Sequence, residues 1–198
     1  MEINNHQDLI KATEEAGALL QQIQNYLEQE GLNWVDIPEA RVRFPRGFIR
    51  AAGAQRRRVP FIRAENLRHN LAYTLMLSDT ILWLWLRTDI FGVPKEMLCK
   101  LQVFLMGTLC ESITKDYLYG VCGRNYRGRL EFLRNRGTID ENLEKDLNWL
   151  WTTRNKMHLF QVRRREFDTD YDETCHHRAI QTFRNCIHAI NEAGPADV

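Results

Sequence analysis

One helical stripe constrains this chain more than any other feature. Leu143, Leu147, Leu150 and Trp151 recur at the spacing that lines one face of a helix. Arg154 lies seven residues after Leu147, and His158 seven after Trp151. Two turns of a 3.6-residue helix nearly repeat, so both polar side chains fall on the apolar stripe, one turn apart. An inward-facing arginine is costly unless it is paired or borders a cleft. The rest of the chain must therefore supply a partner or a cleft.

The remaining sequence is helical in pattern as well. Leu9, Ile10, Ala16, Leu19, Leu20, Ile23, Tyr26 and Leu27 predict a first helix over 7–30, with Gly31 as its stop. A second is predicted over 65–87 and a third over 95–121, where Pro94 suits the start. Thr138 and Glu141 have capping-box spacing for a fourth over 139–158, and the acids at 168–173 suit the start of a fifth over 172–192. Gly120, Gly123 and Gly128 around the basic run Arg124–Arg129 mark a loop, with a short helical turn at 130–133. No strand run or internal repeat interrupts this series. The expectation is an all-α bundle of about five helices in a single domain, 1–198, with its helical core at 65–193.

Residues 32–64 stand apart as an irregular basic insert between the first and second helices. Pro38, Pro45 and Pro60, with Gly47 and Gly53, exclude a long helix there. Arg41, Arg43, Arg46, Arg50, Arg56, Arg57, Arg58 and Arg63 occur with no acid between Ala40 and Ala64. Trp34, Phe44, Phe48 and Phe61 are interleaved. Arginines hold phosphates while aromatic rings stack bases, so the segment fits RNA, DNA or an acidic protein. The same aromatics also fit a role in pinning a loop to the core. Net charge is only +1, so nucleic-acid affinity has to come from such local clustering.

Other chemistries find less support. The five cysteines are odd in number, widely spaced and without a CxxC pair, which argues against zinc and predicts free, mostly buried thiols in a reducing cytosol. The N-terminal residues are polar, with no apolar leader segment. The longest apolar run, 80–86, is far short of the ~20 residues of a membrane-spanning helix. The expected location is cytoplasmic, off the membrane. No nucleophile elbow is present. Cys175, His176 and His177 are adjacent on a helix and diverge, so a solvated face is expected there, and Trp83 and Trp85 fit either core packing or partner docking.

Arg154-Asn155-Lys156-Met157-His158 closes a predicted helix, and Glu111-Ser112-Ile113-Thr114-Lys115-Asp116 lies on an earlier one. From about residue 65 to 190 this pairing resembles the HEPN superfamily of small helical bundles. Their mark is an arginine, a polar residue directly after it, and a histidine a few residues on. The resemblance implies a metal-independent endoribonuclease that needs no cofactor and works as a homodimer with two motifs facing each other. Toxin and antiviral-defence roles, with an antitoxin or other regulatory protein, belong to the same expectation. It implies that His158 acts as general base or acid, that Arg154 neutralises charge on the phosphate and that Asn155 orients one of them. Glu111 is then the partner that holds Arg154, with Lys115 beside it at i,i+4 spacing. RNA is implied over DNA because the chemistry uses a 2′-OH.

The spacing departs from the family pattern. Three residues separate Arg154 from His158, where four to six are usual. In a regular helix one residue fewer turns a side chain by roughly 100°. A second reading therefore stands: Arg154 pairs with Glu111 or a backbone carbonyl, His158 caps the helix end, and the chain is a non-catalytic RNA- or protein-binding module.

Overall fold

The computed structural model describes residues 2–123, 125–157 and 171–196. His158, Arg124 and the linker at 162–170 lie outside the described residues. The class is all-α: the described residues hold no strand and seven α-helices, where about five were expected. The chain groups into two compact units, 1–45 and 46–198.

The first unit holds α1, His6–Gln29, and a short 3-10 turn at Pro38–Ala40. Asn5 caps α1 by accepting from the Asp8 amide at 2.9 Å. The stop is the expected one. Gly31 takes φ 67°, and the amides of Leu32 and Gly31 bond back to the carbonyls of Leu27 and Glu28 at 2.8 and 3.1 Å. No residue of α1 is buried.

The second unit is built around α4, Val93–Tyr117. It packs against α3 (Glu65–Arg87), α5 (Tyr126–Asn135), α6 (Glu141–Asn155) and α7 (Glu173–Ala193), while α2 (Ala52–Arg57) rests on α3. Leu105, Met106, Leu109, Ile113, Leu130, Leu133, Leu147, Leu150, Phe183 and Ile190 form the centre of its core. Among the described residues α4 is also the one helix long and apolar enough to cross a membrane, and 56% of its most apolar stretch is buried in the bundle. The contacts Cys99 Sγ to the Asp172 carbonyl (3.3 Å) and Tyr117 Oη to the Gly194 carbonyl (2.9 Å) show that α4 and α7 run parallel. All five cysteines are free thiols, three of them buried.

The two extra helices have local causes. Asn125 caps α5 by accepting from the Gly128 amide at 3.0 Å, so a glycine that reads as a loop marker sits inside the first turn. The run Ala52–Arg57, free of proline, makes one short helix within the basic insert. Boundaries also move. Asp140, not Thr138, caps α6, accepting from the Leu143 amide at 2.8 Å, and α6 ends at Asn155 rather than at residue 158. The third predicted helix stops at Tyr117 instead of 121, and Gly120 beyond it has φ 79°.

One histidine departs from expectation. His176 is 5% exposed instead of solvated, because its ring stacks flat on Trp85 at 4.3 Å. Burial pushes its pKa from 6.5 to about 4, opposed by Glu173 and reinforced by His177 and Lys95. The fold thus holds His176 neutral, whereas the unfolded chain takes up a proton below pH 6.5. Its contribution to stability is complete above that pH. As pH falls from there toward 4, up to about 3 kcal/mol is lost. Urea unfolding across this range should show the decline, and His176→Phe should make it shallower. An equal decline in the variant would exclude His176 as its source.

Candidate functional site

Arg154 sits where α6 crosses α4, and a glycine makes the crossing possible. A Cβ built on Gly107 would lie 2.9 Å from the Arg154 Cβ and 3.2 Å from its Cγ. With no side chain at 107, the stem of Arg154 lies against the α4 backbone. The guanidinium then reaches along α4 in two directions. Its Nη2 is 3.2 Å from Glu111 Oε2, and its carbon lies 5.7 Å from the centre of the Phe104 ring. Nη1 donates to Asn155 Oδ1 at 2.8 Å. The buried Nε has no hydrogen-bond partner among the described residues. Arg154 and Glu111 remain 26% and 33% exposed in their side chains, so the pair is wet on one side.

The structure therefore brings Arg154, Asn155 and Glu111 together. Lys115, one turn beyond Glu111, is exposed and forms no ion pair with it among the described residues. His158, the third residue of the expected set, lies outside the described residues.

The arginines of the basic insert divide by environment. Arg50 is committed to a carboxylate while its side chain stays 46% exposed, since its amide, Nε and Nη2 all donate to Asp79 at 3.0, 3.1 and 2.6 Å. Asp79 is 2% exposed and also accepts from Gln55 Nε2 at 2.8 Å. Arg58 donates to Gln55 Oε1 at 2.8 Å and lies over the Phe183 ring. Burial and the nearby cations Arg50 and Arg184, partly offset by Asp79, pull its pKa below the ordinary arginine value. The Arg63 amide donates to Asp116 at 2.9 Å while its side chain is exposed. Arg46 and Arg57 are exposed and Arg56 half-buried, with no carboxylate partner for Arg56 or Arg57 among the described residues. In the first unit Arg41 pairs with Asp36 and Arg43 is exposed. Among the aromatics, Phe61 packs edge-on to Tyr117 at 6.2 Å, whereas Trp34 is 99% exposed.

Sequence reasoning missed the face beside Arg154. One turn earlier on α6, Trp151 stacks on Tyr126 at 5.5 Å, and Arg127 lies over Trp151 at 5.6 Å. Asn125, Arg127, Arg134, Glu144 and Asn148 line a cavity of about 810 Å³ between α5 and α6. Arg134 is held there by Glu144 at 3.1 Å. The signal was present, because Arg127 belongs to the basic run at 124–129, but nothing in that run shows that it faces α6. His/Cys/Asp/Glu clusters able to hold a metal ion are absent among the described residues. No protein-family model, curated protein or solved structure matches the chain.

The tight crossing has a direct consequence. In Gly107→Ala the new methyl collides with the Arg154 stem and meets the Leu150 carbonyl at 3.4 Å. α6 must shift outward, at a cost of about 1–3 kcal/mol. Thermal unfolding measures that loss. A variant as stable as wild type would show that the crossing is loose.

Proposed function

We propose that the chain is a metal-independent endoribonuclease of the HEPN type. The observation that carries this reading is the Arg154–Glu111 pair at 3.2 Å, with Asn155 on the other edge of the same guanidinium. These are the residues that the resemblance pairs, and they come from two helices far apart in sequence. In the proposed reaction the ribose 2′-oxygen attacks the adjacent phosphorus. Its proton passes to a base, and the bond to the 5′-oxygen breaks with protonation of that oxygen. The products are a 2′,3′-cyclic phosphate and a free 5′-hydroxyl. His158 serves as base or acid. Arg154 balances the charge that builds on the phosphate oxygens. Glu111 fixes its orientation, and the exposed side of the pair leaves a route for RNA. Arg46, Arg56, Arg57 and Arg63 would guide the strand by its phosphates, as would Arg127 beside the site. The enzyme would act in the cytoplasm as a homodimer that juxtaposes two motifs, in toxin or defence duty restrained by a regulatory protein.

A second reading is favoured by one detail. Both Nη atoms of Arg154 already have partners within the chain, as in a purely structural ion pair. The chain would then bind RNA through its exposed arginines without cutting it.

Purified protein incubated with RNA in EDTA separates the two. The enzyme reading expects fragments ending in 2′,3′-cyclic phosphate, with rates lowered about 10²–10⁴-fold by His158→Ala or Arg154→Ala. Undiminished cleavage by His158→Ala sinks it. Binding that weakens steeply with salt, without cleavage, supports the second reading.

A further inference from the structure

Helix α1 carries an apolar stripe of which no residue is buried and only Ala12, Ile23 and Leu27 are half-buried. Leu9, Leu19, Leu20 and Tyr26 are 44%, 58%, 49% and 58% exposed. They belong to a repeat that runs the length of the helix. Leu9, Ala16 and Ile23 are seven residues apart, as are Ala12, Leu19 and Tyr26. Thr13, Leu20 and Leu27 widen the stripe on one side. This alternation of three and four residues is the period that seats one helix along another. A helix of 24 residues spans about 36 Å. Its stability in water rests mainly on packing such a face.

We propose that α1 is a self-association helix, which pairs antiparallel with α1 of a second copy of this chain. Side-chain volume selects the orientation. Centring the pair between Gly17 and Ala18 sets Leu9 opposite Tyr26, Ala12 opposite Ile23, and Ala16 opposite Leu19 of the second copy. Every alanine in the seam then meets a large residue, as close packing requires. Parallel in-register pairing instead stacks Ala12 on Ala12 and Ala16 on Ala16, which leaves two thin layers, and crowds Tyr26 against Tyr26. Charge agrees with the antiparallel choice. The flanking acids Asp8 and Glu15 then face Gln29 and Gln22 of the second copy, so no like charges meet.

A membrane surface is the poorer occupant. Within α1 the single lysine, Lys11, is outnumbered by Asp8, Glu14, Glu15 and Glu28, the reverse of a helix that seeks anionic lipid. Pairing through α1 does not depend on what Arg154 does, and it gives a dimer whether or not the chain cuts RNA.

Sedimentation velocity on the full chain, over a dilution series, tests the proposal. The expected species is twice the 23.4 kDa of one chain. Leu19→Glu combined with Ile23→Glu should halve the mass, and Arg154→Ala should leave it unchanged. Far-ultraviolet circular dichroism of the seam variant should retain the signal of the second unit, to which neither residue belongs. A monomeric wild type overturns the proposal, as does a seam variant that stays dimeric. Cross-linking fixes the orientation. Under mild oxidation Ala16→Cys mixed with Leu19→Cys should form a disulfide dimer, and neither should do so alone. A disulfide dimer of Ala16→Cys alone would show parallel pairing and overturn the antiparallel seam.

Discussion

The close approach of α6 to α4 at Gly107 is the contact on which the candidate site depends. α4 is the hub of the second unit, touched by α3, α5, α6 and α7. Nearly all of its inward positions are filled by side chains of ordinary size. At Gly107 there is none, and the space goes to the stem of Arg154. This resolves the cost of a charged residue on an apolar stripe. The aliphatic part of Arg154 is packed as a hydrophobe, while its head emerges at the edge of the interface, paired with Glu111 and still partly wet. Had the crossing been wider, the guanidinium would have reached solvent freely. Had it been fully enclosed, the pair would have been a desolvated ion pair of doubtful net benefit.

A second buried charge is handled differently, and the contrast is informative. Asp79 lies in the α2–α3 interface, nearly out of solvent, and is satisfied by Arg50 and Gln55. That network holds α2 on α3, so part of the basic insert is structural. Besides Arg43 in the first unit, electropositive surface remains at Arg46, Arg56, Arg57 and Arg63, a narrower set than the run of eight arginines suggests. Local composition reveals the charge of such a segment. It does not reveal which guanidinium groups a distant carboxylate neutralises.

What was legible in the sequence follows from physics that is local. The helical period gave the long helices, and the αL glycine at Gly31 gave the end of α1. The short helix α2 was not legible, because fewer than two turns carry too little period to register, and α5 was legible only as a turn at 130–133, because the glycine and basic residues of its first turn read as loop. The capping residue of α6 was misplaced because Thr138 and Asp140 both offer an oxygen at the right distance from a turn, and only the geometry selects Asp140. The pairing of Arg154 with Glu111 was expected from resemblance. The reason the two can meet, a missing Cβ at Gly107, depends on helix packing. The stack of His176 on Trp85 is likewise a matter of tertiary proximity between α7 and α3.

In the proposed ribonuclease, Glu111 would act only by holding Arg154 in place for the phosphate. A double-mutant cycle on the rate of RNA cleavage tests this most directly. The account predicts that Glu111→Gln and Arg154→Ala each slow wild-type cleavage, and that the double variant is no slower than Arg154→Ala alone. Losses that multiply in the double variant would contradict it, because Glu111 would then contribute independently of Arg154.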